Sequence, residues 1–96
     1  MNMNYEMKVR ITDPNTQNEL SYKLKCSFAY DKEQYGNGFF LSIEGEDFYP
    51  QGFDLRYDRS FRKSEKEKWL EDWARNYWSG ENGAWVIKSL EITKAE

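Results

Sequence analysis

The sequence predicts an α+β domain: a five-stranded antiparallel sheet in the order 5-1-2-3-4, with one helix packed on one face and topology β-β-β-β-α-β. Three observations predict it. Residues 64–80, SEKEKWLEDWARNYWSG, are the only segment with apolar side chains at helical period. Four segments before it alternate apolar and polar residues, as half-buried strands do. One segment after it is strand-like again, which returns the chain antiparallel to the first strand.

Residues 5–12 place Tyr5, Met7, Val9 and Ile11 on one face and Glu6, Lys8, Arg10 and Thr12 on the other. Asp13-Pro14-Asn15 has turn chemistry and ends the strand. Residues 20–30 alternate from Leu20 to Tyr30, and the loop 31–38 closes with Gly36-Asn37-Gly38. Phe39, Leu41 and Ile43 begin a third strand. Tyr49-Pro50-Gln51-Gly52 reads as a tight turn, followed by a short fourth strand through Phe53, Leu55 and Tyr57.

Register follows from keeping apolar residues on one side. Thr12 opposite Glu19 sets Ile11 against Leu20, Val9 against Tyr22 and Met7 against Leu24. Tyr30 opposite Phe39 sets Phe28 against Leu41 and Cys26 against Ile43. The polar face then carries Lys25 between Glu6 and Glu44, and a like-charge Lys8–Lys23 contact that Glu46 is expected to relieve.

In the helix, Trp69, Leu70, Trp73, Ala74, Tyr77 and Trp78 form one apolar stripe. Ser64 with Glu67 matches a capping box, and Gly80 is the expected stop. Glu81-Asn82-Gly83 turns the chain into a fifth strand, residues 84–93. Its alternation slips between Ile87 and Leu90, so a β-bulge near Lys88-Ser89 is expected. Trp78 and Trp85 flank the turn and are expected to close that end of the core.

The chain has 96 residues, the length of one domain over 1–96. Aromatic residues at 18 % supply much apolar area for a small core, and well-mixed charges at 32 % mark a soluble globular domain. A net charge of −3 implies neither nucleic acid nor membrane as partner. Cys26 is the single cysteine, so no internal disulfide forms. No apolar run has membrane-span length and residues 1–8 have no signal-peptide core, so a cytoplasmic location is expected.

Histidine is absent, which removes the commonest general base, the Ser-His-Asp and Cys-His constellations and the usual zinc ligands. Glu44, Glu46, Asp47, Asp54 and Asp58 are the densest acidic stretch, but the spacing of a calcium loop is missing. Glu6-Met7-Lys8 has the Glu-x-Lys form of metal-dependent nucleases without their upstream Asp. Gly36-Asn37-Gly38 lacks the third glycine and the following helix of a dinucleotide fingerprint. These absences predict a non-enzymatic protein with no metal and no cofactor.

Two surfaces remain as candidates. Phe40 has polar-face parity beside Ala29, and with Tyr35 and Tyr49 it is a candidate protein contact. Residues 56–68 carry Arg56, Arg59, Arg62 and Lys63, with Lys66 and Lys68, and lead into a helix N-terminus. They are the candidate anion or nucleic-acid surface, with Tyr57 and Phe61 interleaved.

The run WLEDWARNYWSGENGAWVIKSLEI, with Trp69, Trp73, Trp78 and Trp85, is similar to the C-terminal part of small uncharacterised proteins carried on conjugative elements and phages of Gram-positive bacteria. Some proteins of that setting act against host defences by anti-restriction or anti-CRISPR binding. The resemblance implies a small binder from a mobile genetic element and transfers no site residue. The modest charge departs from strongly acidic anti-restriction DNA mimics. Taken together, the expectation is a protein-binding domain contacting a foreign protein or a second copy as a homodimer. Binding of nucleic acid or phosphate through the basic segment is the alternative.

Overall fold

A computed structural model of the chain describes residues 2–30, 39–59, 61–81 and 83–95. The loop 31–38, with the candidate Tyr35, lies outside the described residues. The strands are β1 (Asn2–Thr12), β2 (Glu19–Tyr30), β3 (Phe39–Gly45), β4 (Phe48–Asp54) and β5 (Val86–Ala95), with one α-helix among the described residues, α1 (Lys66–Asn76). The sheet runs β4-β3-β2-β1-β5, every pair antiparallel, which is the expected α+β arrangement.

The register of the central strands follows the alternation residue for residue. Met7 faces Leu24, Val9 faces Tyr22 and Ile11 faces Leu20; Cys26 faces Ile43 and Phe28 faces Leu41. Between β1 and β2, the Asp13 carboxylate accepts the Asn15 N–H at 2.9 Å and Gln17 takes a left-handed φ of 63°. Along β1–β5, Arg10 faces Ser89 while Ile11 faces Ile87, so Lys88 is the unpaired residue of the expected bulge. It brings Trp85, Ile87, Leu90 and Ile92 to one face, all half-buried.

The polar rows differ in one detail. Glu6, not Glu46, relieves the Lys8–Lys23 contact, reaching Lys8 at 3.7 Å and Lys23 at 3.5 Å. Glu6 sits in the middle of the sheet and meets both lysines, whereas Glu46 belongs to a turn at the sheet's end.

The β3–β4 connection is displaced from its expected position. The turn is Glu46-Asp47, with Asp47 at a left-handed φ of 56°, and Tyr49-Pro50-Gln51-Gly52 lies inside β4. Ile43 faces Gln51 and Gly45 faces Phe48, so Tyr49 and Pro50 together oppose Glu44. A proline without an N–H is accommodated there because β4 is an edge strand with a bulge. Leu55–Tyr57 is a 3₁₀ turn and not strand, which rotates Leu55 into the core. Gly45 belongs to the close approach of β2 and β3: a Cβ on it would lie 2.7 Å from the Lys23 carbonyl oxygen.

Both helix ends also differ from expectation. A 3₁₀ turn, Lys63–Glu65, precedes α1, the N-cap is Glu65, and no side chain caps it, so the Ser64–Glu67 box does not form. After Asn76 the chain continues as a π turn, Tyr77–Glu81, containing Gly80; the left-handed glycine is Gly83, at φ 99°. The Trp85 N–H then donates to the Trp78 carbonyl at 3.1 Å and ties β5 to that end.

The core lies between α1 and one sheet face. Met7, Val9, Ile11, Leu24, Cys26, Phe28, Leu41 and Ile43 meet Leu70, Ala74 and Trp78. Phe28 stacks on Phe61 near the start of α1 and Tyr22 stacks on Trp78 near its end. The opposite sheet face has no element over it among the described residues. Nor does any described helix have the length and apolarity to cross a membrane.

Candidate functional site

The apolar stripe of α1 is two residues wide, and the sheet takes only half of it. Leu70, Ala74 and Trp78 point at the sheet and are buried. Trp69 and Trp73 precede Leu70 and Ala74 by one residue, about 100° away round α1, Tyr77 precedes Trp78 in the π turn that continues it, and all three are only half-buried. They overhang the β4 side of the sheet. There Phe53 meets Trp69 at 5.4 Å between ring centroids and Trp73 at 6.3 Å, both nearly edge to face. Trp73 meets Tyr77 at 5.0 Å.

These four rings line an open cleft of about 320 Å³. Its rim carries Asp58, Glu65 and Asp72, with Lys68 and Asn76. Asp58 is delivered by the 3₁₀ turn after β4, and one of its carboxylate oxygens accepts the Trp69 indole N–H at 3.0 Å. That bond fixes one wall of the cleft. Lys68 reaches Asp72 at 3.3 Å across one helical turn, with both side chains exposed. The rim is therefore net acidic and the floor aromatic.

The basic segment is largely engaged within the molecule. Arg56 forks onto Asp54, at 3.0 Å from Nε and 2.6 Å from Nη2, and lies 5.2 Å over the Tyr57 ring. Side-chain hydrogen bonding to Arg56 holds the Asp54 carboxyl below the usual carboxylate range. Arg62 donates to the carbonyls of Arg59 and Phe61. Lys63 lies over the Tyr30 and Phe39 rings. Lys66 lies 4.9 Å over Phe39 and donates to the Lys63 carbonyl; burial, with help from Lys63 and Lys94, lowers its pKa. Arg56, Arg59, Arg62 and Lys63 are all exposed.

The candidates of the open sheet face are separated. Phe40 lies opposite Ala29, half-buried, with its ring tip 3.1 Å from where a Gly52 side chain would begin. The glycine lets the ring lie along the sheet. Tyr49 is 82 % exposed, on β4. A shallow depression of about 600 Å³ on this face lies among Glu6, Lys23, Lys25 and Glu44, whose charges alternate and give it no net preference. Among the described residues no three carboxylates or thiols gather as a metal would need.

The stripe residues Trp69, Trp73 and Tyr77 do pack against the core, as their helical spacing predicts, but keep part of their rings exposed, and the sequence does not bring Phe53 and Asp58 beside them as one site. The available signal was the width of the stripe: two adjacent residues in each turn cover more of the helix than one sheet contact can bury.

The chain matches no family model, no curated protein and no solved structure in the comparisons made.

Proposed function

We propose that this chain is a non-enzymatic protein-binding domain whose contact surface is the aromatic cleft between α1 and β4. The observation that carries the reading is the partial exposure of Trp69, Trp73 and Tyr77 in one open groove. Tryptophan and tyrosine anchor interfaces because they bury much area while losing few rotamers. A domain that needed them only for its core would leave less indole surface in water. The open sheet face, with Phe40 lying flat and its charges alternating, offers a weaker anchor. The mobile-element resemblance of residues 69–92 adds host-defence proteins to the partners to try.

The test uses two variants on different surfaces. Asn76→Arg plants a long side chain across the cleft rim, and Phe40→Asp places a charge on the open sheet face. A partner captured from bacterial extract by the parent is expected to be lost with Asn76→Arg and kept with Phe40→Asp. The reverse pattern would move the contact surface to the sheet. Light scattering on the parent separates a second copy from a foreign protein as the partner.

A further inference from the structure

We propose that the cleft recognises a cationic side chain, an arginine presented by a segment of the partner protein; this rests on the cleft being the contact surface. Two features of the groove point to one chemistry. The floor offers the faces and edges of two indoles with Phe53 and Tyr77, and aromatic faces attract a cation through their quadrupole, indole most of all. The rim adds the exposed carboxylates of Glu65 and Asp72 against the single ammonium of Lys68, while Asp58 is engaged by the Trp69 indole N–H. An anionic segment would meet repulsion from Glu65 and Asp72, and a purely apolar one would leave the exposed Glu65 carboxylate without a counter-charge.

Arginine fits better than lysine. Its guanidinium is flat, so it stacks on a ring while its edge donates to carboxylates. The protein builds this arrangement once already, in Arg56 over Tyr57 with its fork on Asp54. The cleft presents the same two components, ring and carboxylate, without an arginine among its lining residues. Lys68 does not occupy the position firmly. Its pair with Asp72 is exposed on both sides, and such pairs are held weakly. The cleft volume, about 320 Å³, is at the small end for ligand pockets, which suits one long side chain.

The experiment follows the indole N–H signals of Trp69 and Trp73 in the ¹⁵N-labelled full chain. Three capped tripeptides are titrated at matched ionic strength: Gly-Arg-Gly, its uncharged isostere Gly-citrulline-Gly, and Gly-norleucine-Gly. The arginine peptide is expected to shift both signals saturably, binding about tenfold more tightly than either neutral peptide. The double variant Glu65→Gln/Asp72→Asn is expected to remove most of that difference with an unchanged melting temperature, since both residues are exposed. Equal binding of the arginine and norleucine peptides would overturn the cation and leave the cleft as an apolar contact surface. No saturable shift with the arginine peptide would also overturn it. Loss of partner capture by Asn76→Arg, with full retention by the neutralised double variant, separates failure of this inference from failure of the protein-binding reading.

Discussion

One helix carries two apolar stripes a single residue apart, and they have different fates. Leu70, Ala74 and Trp78 are 0 %, 0 % and 3 % exposed. Trp69, Trp73 and Tyr77 are larger on the whole, yet each keeps part of its ring in water. Leu70 and Ala74 are small enough to let the helix approach the sheet, Trp78 enters the core from the following π turn stacked on Tyr22, and the rings of Trp69, Trp73 and Tyr77 have no second layer to enter. Apolar size alone therefore does not rank the contributions to this core. Position round the helix does, because burial is what removes apolar area from water.

The largest expected effect tests that ranking directly. Leu70→Ala removes a fully buried side chain above the sheet and should cost about 4 kcal/mol. Trp73→Ala removes more atoms but from a half-buried position, and should cost about 2 kcal/mol, below the range for a buried tryptophan. For a domain of ordinary stability, about 5–15 kcal/mol, only the first approaches unfolding. Chemical denaturation of both variants checks the order. A Trp73 variant less stable than the Leu70 variant would make the overhanging stripe part of the core and remove the basis for a binding cleft.

The same contrast explains what was legible in the sequence. Alternation in β1, β2 and β3 is unbroken and a one-residue slip would turn every apolar side chain outward, so the registers could be read to the residue. The parity slip between Ile87 and Leu90 likewise located the bulge at Lys88. Pro50 and Gly52 misled, because the same residues that make a tight turn are tolerated on an edge strand with a bulge. The internal partners of the basic segment were not legible: Asp54, which holds Arg56, precedes the stretch of positive charge, and the rings under Lys63 and Lys66 come from β2 and β3. The cleft was hidden because periodicity marks an apolar stripe without showing how much of it the sheet will cover.

A second test sharpens the buried side of the comparison. Cys26 lies on the sheet face beneath α1, fully buried, and burial pushes its thiol from the ordinary 9.0 up to about 12. Below pH 9 the thiol is protonated in both folded and unfolded chains, so its contribution to stability is fully present. Between about 9 and about 12 the unfolded thiol ionises while the folded one keeps its proton, and stability is lost as pH rises. The loss is at most about 1.4 kcal/mol per pH unit. Denaturation of the parent and of Cys26→Ala at pH 8 and pH 10 isolates this contribution from the tyrosines. The gap between the two proteins should narrow at pH 10. Parallel curves would mean that water reaches the thiol and that the helix does not seal this face.

The smallest expected effect concerns how α1 is held at its start. Ser64 and Glu67 have the spacing of a capping box, and a working N-cap serine contributes about 0.5–2 kcal/mol. In the structure Ser64 lies within the Lys63–Glu65 turn, Glu65 is the N-cap, and no side-chain oxygen caps the helix. The entry is tied instead by the Glu65 N–H on the Arg62 carbonyl, at 2.9 Å, and by Lys66 Nζ on the Lys63 carbonyl, at 2.7 Å. Neither bond uses the Ser64 hydroxyl. Packing of Leu70, Ala74 and Trp78, with Phe61 stacked on Phe28, then fixes where the helix begins. Ser64→Ala should change stability by less than about 0.3 kcal/mol, below the range for a lost cap. A loss of about 1 kcal/mol or more in thermal or chemical melting would show the box to be formed in solution. The helix would then owe part of its position to local capping, and the division of its two stripes would no longer follow from packing on the sheet alone.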